Sequence, residues 1–176
     1  MKYWIDTEFI ERPYTIDLIS VGLVAEDGRE FYAESSEVDW TKASNWTLRT
    51  VRPQLDGAGV TRENIGYAVR RFIDADVNAV FWGYFPAYDW VVLSWLFGRM
   101  DELPFHLPHL CMDIKQWAME IGDPELPLQV GPRHHALADA RWTRDAWCFL
   151  ASLHPAGAER CPTGNKNPDQ LEAGSR

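Results

Sequence analysis

Apolar positions in the first third of the chain are spaced as in strands. Tyr3, Trp4 and Ile5 fill a short run over residues 2–6. A second run over residues 16–26 carries Ile16, Leu18, Ile19, Val21, Leu23 and Val24. It ends at Asp27-Gly28, a pair that favours the tight turn of a hairpin. Residues 30–33 then return as a third strand. The pattern predicts a three-stranded antiparallel meander with Asp6 at the exit of its first strand.

Further along, the period changes to that of helices. Residues 40–59 predict a short helix and a loop, broken by Pro53, Gly57 and Gly59. Thr61 suits the N-cap of a helix over 62–75, in which Ile65, Ala68, Val69, Phe72 and Ile73 share one face. A buried strand over 77–83 follows, then helices over 89–97, 112–121 and 136–153, with connectors over 104–108 and 123–131. Strands first, then helices alternating with strands, predict an α/β fold with a mixed sheet covered by helices on both faces. From Pro155 onward Gly, Pro, Asn and Glu dominate. The expected organisation is one domain over 1–153 and a weakly ordered tail over 154–176.

The chain has 176 residues, 46% hydrophobic and 24% charged, the balance of a globular domain with a substantial core. No apolar run approaches the roughly 20 residues that span a bilayer, and an acid at position 6 falls too early for a signal peptide. The expected location is cytoplasmic, with no membrane partner. Cys111, Cys148 and Cys161 are widely spaced and odd in number, matching no disulfide framework or zinc spacing. Cys111 and Cys148 are expected to be small core residues. The net charge of −9 excludes broad binding along a nucleic-acid backbone, which needs clustered Lys and Arg. It permits an enzyme that grips a strand end, where bound cations supply positive charge locally.

Three groups carry candidate chemistry. In Asp6-Thr7-Glu8 the two acids stand at i and i+2 of a strand and share a face. They repel unless a cation lies between them, and magnesium or manganese suits such oxygen ligands. A lone acid-x-acid triplet is more often a solvated strand edge, but this one closes an apolar strand that should be central. Asp89 opens a helix just after the strand over 77–83, a place where an acid also serves as a cap. His134 and Asp139 stand at the entry of the last helix, where imidazole can take a proton from water.

Taken jointly, strand acid-x-acid, helix-opening acid and His-x-x-x-x-Asp resemble the DEDD exonuclease superfamily, in its histidine-bearing branch, on a ribonuclease H-like fold. The resemblance covers roughly residues 2–150. It maps Asp6 and Glu8 onto the first motif, Asp89 onto the second, and His134 and Asp139 onto the third; His135 lies off the base position. The opening Tyr3-Trp4-Ile5-Asp6-Thr7-Glu8-Phe9-Ile10-Glu11, the stretch Ile16-Asp17-Leu18-Ile19-Ser20-Val21-Gly22 and the turn Ala87-Tyr88-Asp89 are similar to actinobacterial polyadenylate-specific exoribonucleases. Phe9 replaces the Thr usual after the Glu in proofreading relatives. Tyr84, Phe85 and Pro86 occupy a region where Asn is common.

The resemblance implies two Mg²⁺ ions, with Mn²⁺ as an alternative, held by Asp6, Glu8, Asp89 and Asp139. It implies His134 as general base, nucleoside 5′-monophosphate products, single-stranded and adenylate-rich RNA 3′ ends as substrate, and a homodimer. Phe9 and Ile10, directly after the metal carboxylates, are placed to wedge against the terminal base, and Trp82 at the end of a strand is a further stacking candidate. Trp90, Trp95, Trp117, Trp142 and Trp147 are expected in the core. Two readings compete: an exonuclease for single-stranded DNA or short oligonucleotides with the same site, and a binding module that has lost catalysis. The tyrosine-bearing branch would place Tyr where His134 stands.

Overall fold

The computed structural model describes residues 1–57, 59–73 and 78–153. The expected tail over 154–176, and the predicted junction of helix and strand over 74–77, lie outside the described residues. The strands are β1 (Lys2–Arg12), β2 (Thr15–Ala25), β3 (Glu30–Glu34), β4 (Val80–Gly83) and β5 (Cys111–Asp113). The helices are α1 (Asn45–Thr50), α2 (Arg62–Ile73), α3 (Ala87–Ser94), α4 (Ile114–Glu120) and α5 (Ala136–Leu153). The sheet order is β3-β2-β1-β4-β5. The meander β1–β2–β3 is antiparallel, and β4 and β5 join in parallel. The expected mixed sheet with helices on both faces is what forms.

Strand parity sorts the side chains of β1. Tyr3 and Ile5 face one layer, with Val69 and Ile73 of α2 and Val92 and Leu93 of α3. Trp4 faces the other, with Ile114 of α4 and Ala140, Trp147 and Leu150 of α5. Asp6 and Glu8 continue the face of Trp4 and so point toward α5; Thr7 continues the face of α3.

β1 runs well past its predicted end at Asp6. It pairs with β2 as far as Arg12↔Thr15, with a bulge between Glu8 and Phe9. The acids that ended the apolar run are interior to the strand, because backbone pairing to β2 continues regardless of side-chain polarity. Along β1, by contrast, β4 pairs with Lys2, Tyr3 and Trp4 alone. Beyond Trp4 this edge of β1 is therefore free of β4, and the entry of α3 fills the place.

Other boundaries differ for local reasons. Asn64 N–H bonds the Thr61 hydroxyl at 3.3 Å, so Thr61 occupies the expected capping position. α3 begins at Ala87 and gives way to a 3₁₀ turn over Trp95–Phe97, which leaves Trp95 half exposed rather than in the core. β5 was not expected: three residues are too few to show a period, and Asp113 caps α4 directly by accepting from Lys115 N at 2.8 Å. Cys111 is a free thiol. Cys148 packs half buried against the core layer of Trp4 and Trp147, as expected, and it is disulfide-bonded, which corrects the expectation that the cysteines form no disulfide. Among the described residues no helix is long and apolar enough to cross a membrane.

Candidate active site

Two close approaches bring the site together. Gly22 pairs with Asp6 across β1 and β2, and a Cβ on Gly22 would overlap backbone atoms of Ala136 and Leu137. The missing side chain lets the first turn of α5 rest on the sheet, which sets Asp139 over the β1 acids. On the other side, a Cβ on Gly83 would stand 2.5 Å from Pro86 Cβ. The chain can therefore turn tightly from β4 into α3, and Asp89 falls in the first turn of that helix.

Asp89 is tied to β1. The backbone N–H of Thr7 donates to Asp89 Oδ1 at 2.8 Å, and the Thr7 hydroxyl donates to the same oxygen at 2.6 Å. Asp139 is held by its own approach loop: His134 N–H donates to Oδ2 at 2.9 Å, and Gln129 Nε2 donates to Oδ1. His134 sits at φ 63°, a left-handed conformation that costs a non-glycine residue on the order of 1–2 kcal/mol. Its imidazole makes an edge-to-face contact with Trp46 of α1, ring centres 5.0 Å apart. His135 points elsewhere. It stacks on Tyr32 at 4.4 Å, and its Nδ1 accepts from Ala138 N at 3.4 Å.

These residues line one cleft of about 610 Å³. Asp6, Glu8, Asp89, His134 and Asp139 all reach it, with Thr7, Phe9, Trp46, Tyr84, Gln129 and Arg133 on its walls. Glu8, His134 and Asp139 each offer one ligand-type atom, and the three atoms lie within 4.8 Å of one another. Among the described residues no lysine or arginine forms an ion pair with any of the four acids.

The electrostatics follow from burial and like charge. Loss of solvent, then the charges of Asp89, Glu8 and Asp139, hold the Asp6 carboxyl well above its ordinary value. Burial, with Asp139 and Asp89, pushes Glu8 up to about 8. Burial also lifts Asp89 to about 6, against the opposing pull of its two bonds from Thr7. Four acids, two on β1 and one each on α3 and α5, with the ionisation of Asp6, Glu8 and Asp89 opposed by burial and like charge, form a donor set that fits a divalent cation.

The stacking candidates divide. Phe9 lines the cleft and stacks on Tyr88, ring centres 5.8 Å apart. Ile10 points away, buried against Ile19 and Val51. Trp82 lies outside the cleft, packed among Trp117 and Trp147. Trp46, Gln129 and Arg133 entered from segments without a hydrophobic period, so nothing in the pattern of the sequence marked them. Trp142, expected in the core, lines the cleft and donates from Nε1 to Pro127 O at 2.8 Å.

Comparison with known proteins bears on this arrangement. The solved structure of product-bound exonuclease I superposes with a TM-score of 0.62 at 15% identity, covering 87% of this chain. This chain spans 43% of that one. The RNase domain of yeast Pop2 superposes with a TM-score of 0.52 at 14% identity, covering 86% of this chain and 78% of that one. At these identities the likeness is one of fold, that of ribonuclease H-like exonucleases. The 3′-5′ exoribonuclease Rv2179c of Mycobacterium tuberculosis strain H37Rv is 37% identical over 163 residues, covering 89% of this chain and 97% of the relative. Its counterpart in strain CDC 1551 matches equally. The family model for the 3′-5′ exoribonuclease Rv2179c-like domain matches residues 1–151, and the chain belongs to that family.

Proposed function

We propose that the protein is a metal-dependent 3′→5′ exoribonuclease that removes nucleoside 5′-monophosphates from single-stranded RNA and prefers adenylate-rich ends. The observation that carries this reading is the cleft itself, which four acids line together with a histidine, the acids having no ion pair to a lysine or arginine among the described residues. Asp6, Glu8, Asp89 and Asp139 would hold two Mg²⁺ ions. When bound, these would supply positive charge to the attacking and leaving oxygens of the phosphodiester.

The chain's own residues supply the rest. His134 accepts the proton of the attacking water, and its backbone N–H steadies Asp139 through the 2.9 Å bond. Thr7 keeps Asp89 aligned. Phe9 offers a ring face at the cleft wall, on which a terminal base would gain about 1–3 kcal/mol. The presence of all four acids and the histidine favours an enzyme over a binding module. The adenylate preference rests on the resemblance of the opening motif, as does a homodimeric assembly, measurable by sedimentation; a cytoplasmic location rests on the hydropathy pattern of the chain.

Poly(A), poly(U) and single-stranded DNA of equal length, digested with Mg²⁺, test the reading, with Asp139→Ala as control. Mononucleotide release, fastest from poly(A) and absent in the variant, is expected. Faster digestion of DNA would turn the assignment to the competing deoxyribonuclease. No mononucleotide from any polymer would overturn it.

A further inference from the structure

We propose that Arg133 is a substrate-binding residue that takes a backbone phosphate of the entering RNA strand; the inference rests on the exonuclease reading above. Arg133 is the one lysine or arginine among the described residues lining the cleft. It is exposed, and among the described residues it makes no ion pair or side-chain hydrogen bond.

Both arginines of α5 are engaged. Arg141 makes a two-pronged pair with Glu30 at 2.9 and 2.5 Å, and Arg144 pairs with Asp145 at 3.0 Å. Arg133 also stands directly before His134 on a backbone fixed by the His134–Asp139 bond. Arg133 therefore lines the same cleft as the acids without an ion pair to any of them.

The charge balance makes such a group necessary. A chain of net charge −9 that bares four carboxylates in its cleft repels a polyanion. Bound cations would offset the acids locally but would not reach a phosphate further up the strand. A planar guanidinium suits that phosphate because it donates two parallel hydrogen bonds to neighbouring oxygens.

The test compares wild type with Arg133→Gln and Arg133→Lys on single-stranded RNA of one length over a series of salt concentrations. For Arg133→Gln, KM should rise roughly tenfold, and the loss in kcat/KM should be carried by KM. The slope of log(kcat/KM) against log[salt] should become shallower by about 0.7, the value for one phosphate contact on a single strand. Arg133→Lys should recover the slope while recovering KM only in part. Oligonucleotides with a single neutral methylphosphonate linkage, moved along the strand, should impair the wild type at one linkage and leave Arg133→Gln indifferent there. An unchanged slope in Arg133→Gln, or a loss confined to kcat, overturns the inference. Inactivity of the wild type on RNA would instead overturn the exonuclease reading, so the two failures are distinct.

Discussion

Thr7 gives both its backbone N–H and its hydroxyl to a single oxygen of Asp89, at 2.8 and 2.6 Å. The two residues are 82 positions apart in the chain. They meet because β4 stops pairing with β1 at Trp4, which leaves the N–H of Thr7 for the helix that follows. Replacing Thr7 by Val keeps the shape and the backbone donor and removes the hydroxyl. Loss of a bond to a charged group should cost about 1.5–3 kcal/mol at most. The Mg²⁺ concentration for half-maximal rate should rise, because Asp89 is both less ionised and less aligned. Thr7→Ser should restore the metal dependence; a Val variant with wild-type metal dependence would remove Thr7 from any role in holding Asp89.

Gly22→Ala is expected to be more damaging than its size suggests. The new methyl group meets backbone atoms of Ala136 and Leu137, which cannot rotate away as a side chain would. Overpacking of this kind costs typically about 1–3 kcal/mol. Relief requires α5 to lift from β2, which carries Asp139 away from Asp6 and Glu8. Thermal unfolding should show the lower stability, and calorimetry should show weakened Mg²⁺ binding in the variant that remains folded. Undiminished metal affinity would mean that Gly22 serves packing alone.

Much of this site could be read from the chain, and the reason is parity. An acid-x-acid pair on a strand must share a face, and a histidine five residues before an acid at a helix entry marks the approach loop. The walls were less legible. Trp82 ends a strand in sequence, but its face of the sheet is the one covered by α4 and α5, and only the three-dimensional layer order reveals that. Trp46 sits in a six-residue helix too short to show a hydrophobic face, and Gln129 and Arg133 sit in a loop. The length of β1 was hidden because its acids interrupt the apolar run, although Glu8 is still buried and paired with β2.

Metal-free protein should lose stability as pH rises. Glu8 titrates near 8 in the fold against 4.5 ordinarily, Asp89 near 6 against 3.8, and Asp6 is also raised. The folded state therefore holds more protons than the unfolded state over this window, and stability falls from about pH 4.5 to about pH 8. Carboxyls lowered by exposed pairing, such as Glu30 beside Arg141, act in the opposite sense but below the same window. Melting temperature in EDTA should decline from about pH 5 to about pH 8, and Glu8→Gln should flatten the decline and raise the value at the upper end. Mg²⁺ should also flatten it. A metal-free melting temperature that climbs over this range would show that the acids are not held together by the fold.

His134 presents a test that separates its backbone from its ring. At φ 63° the residue stands where Asn is tolerated better than most side chains. His134→Asn should therefore keep the turn, the N–H that holds Asp139, and the melting temperature, while removing the proton acceptor. Its rate should fall on the order of 10²–10⁴-fold, as for a lost general base. His134→Ala removes the same ring but places a methyl side chain in a strained conformation, so it should add a loss of stability of about 1 kcal/mol. Comparable rates for the two variants, with stability lowered only in the alanine form, would assign the catalytic loss to the imidazole. Near-wild-type turnover in His134→Asn would exclude the ring as base. Because His135 is committed to Tyr32 and to the cap of α5, the water would then have to lose its proton to bulk solvent or to one of the raised carboxylates.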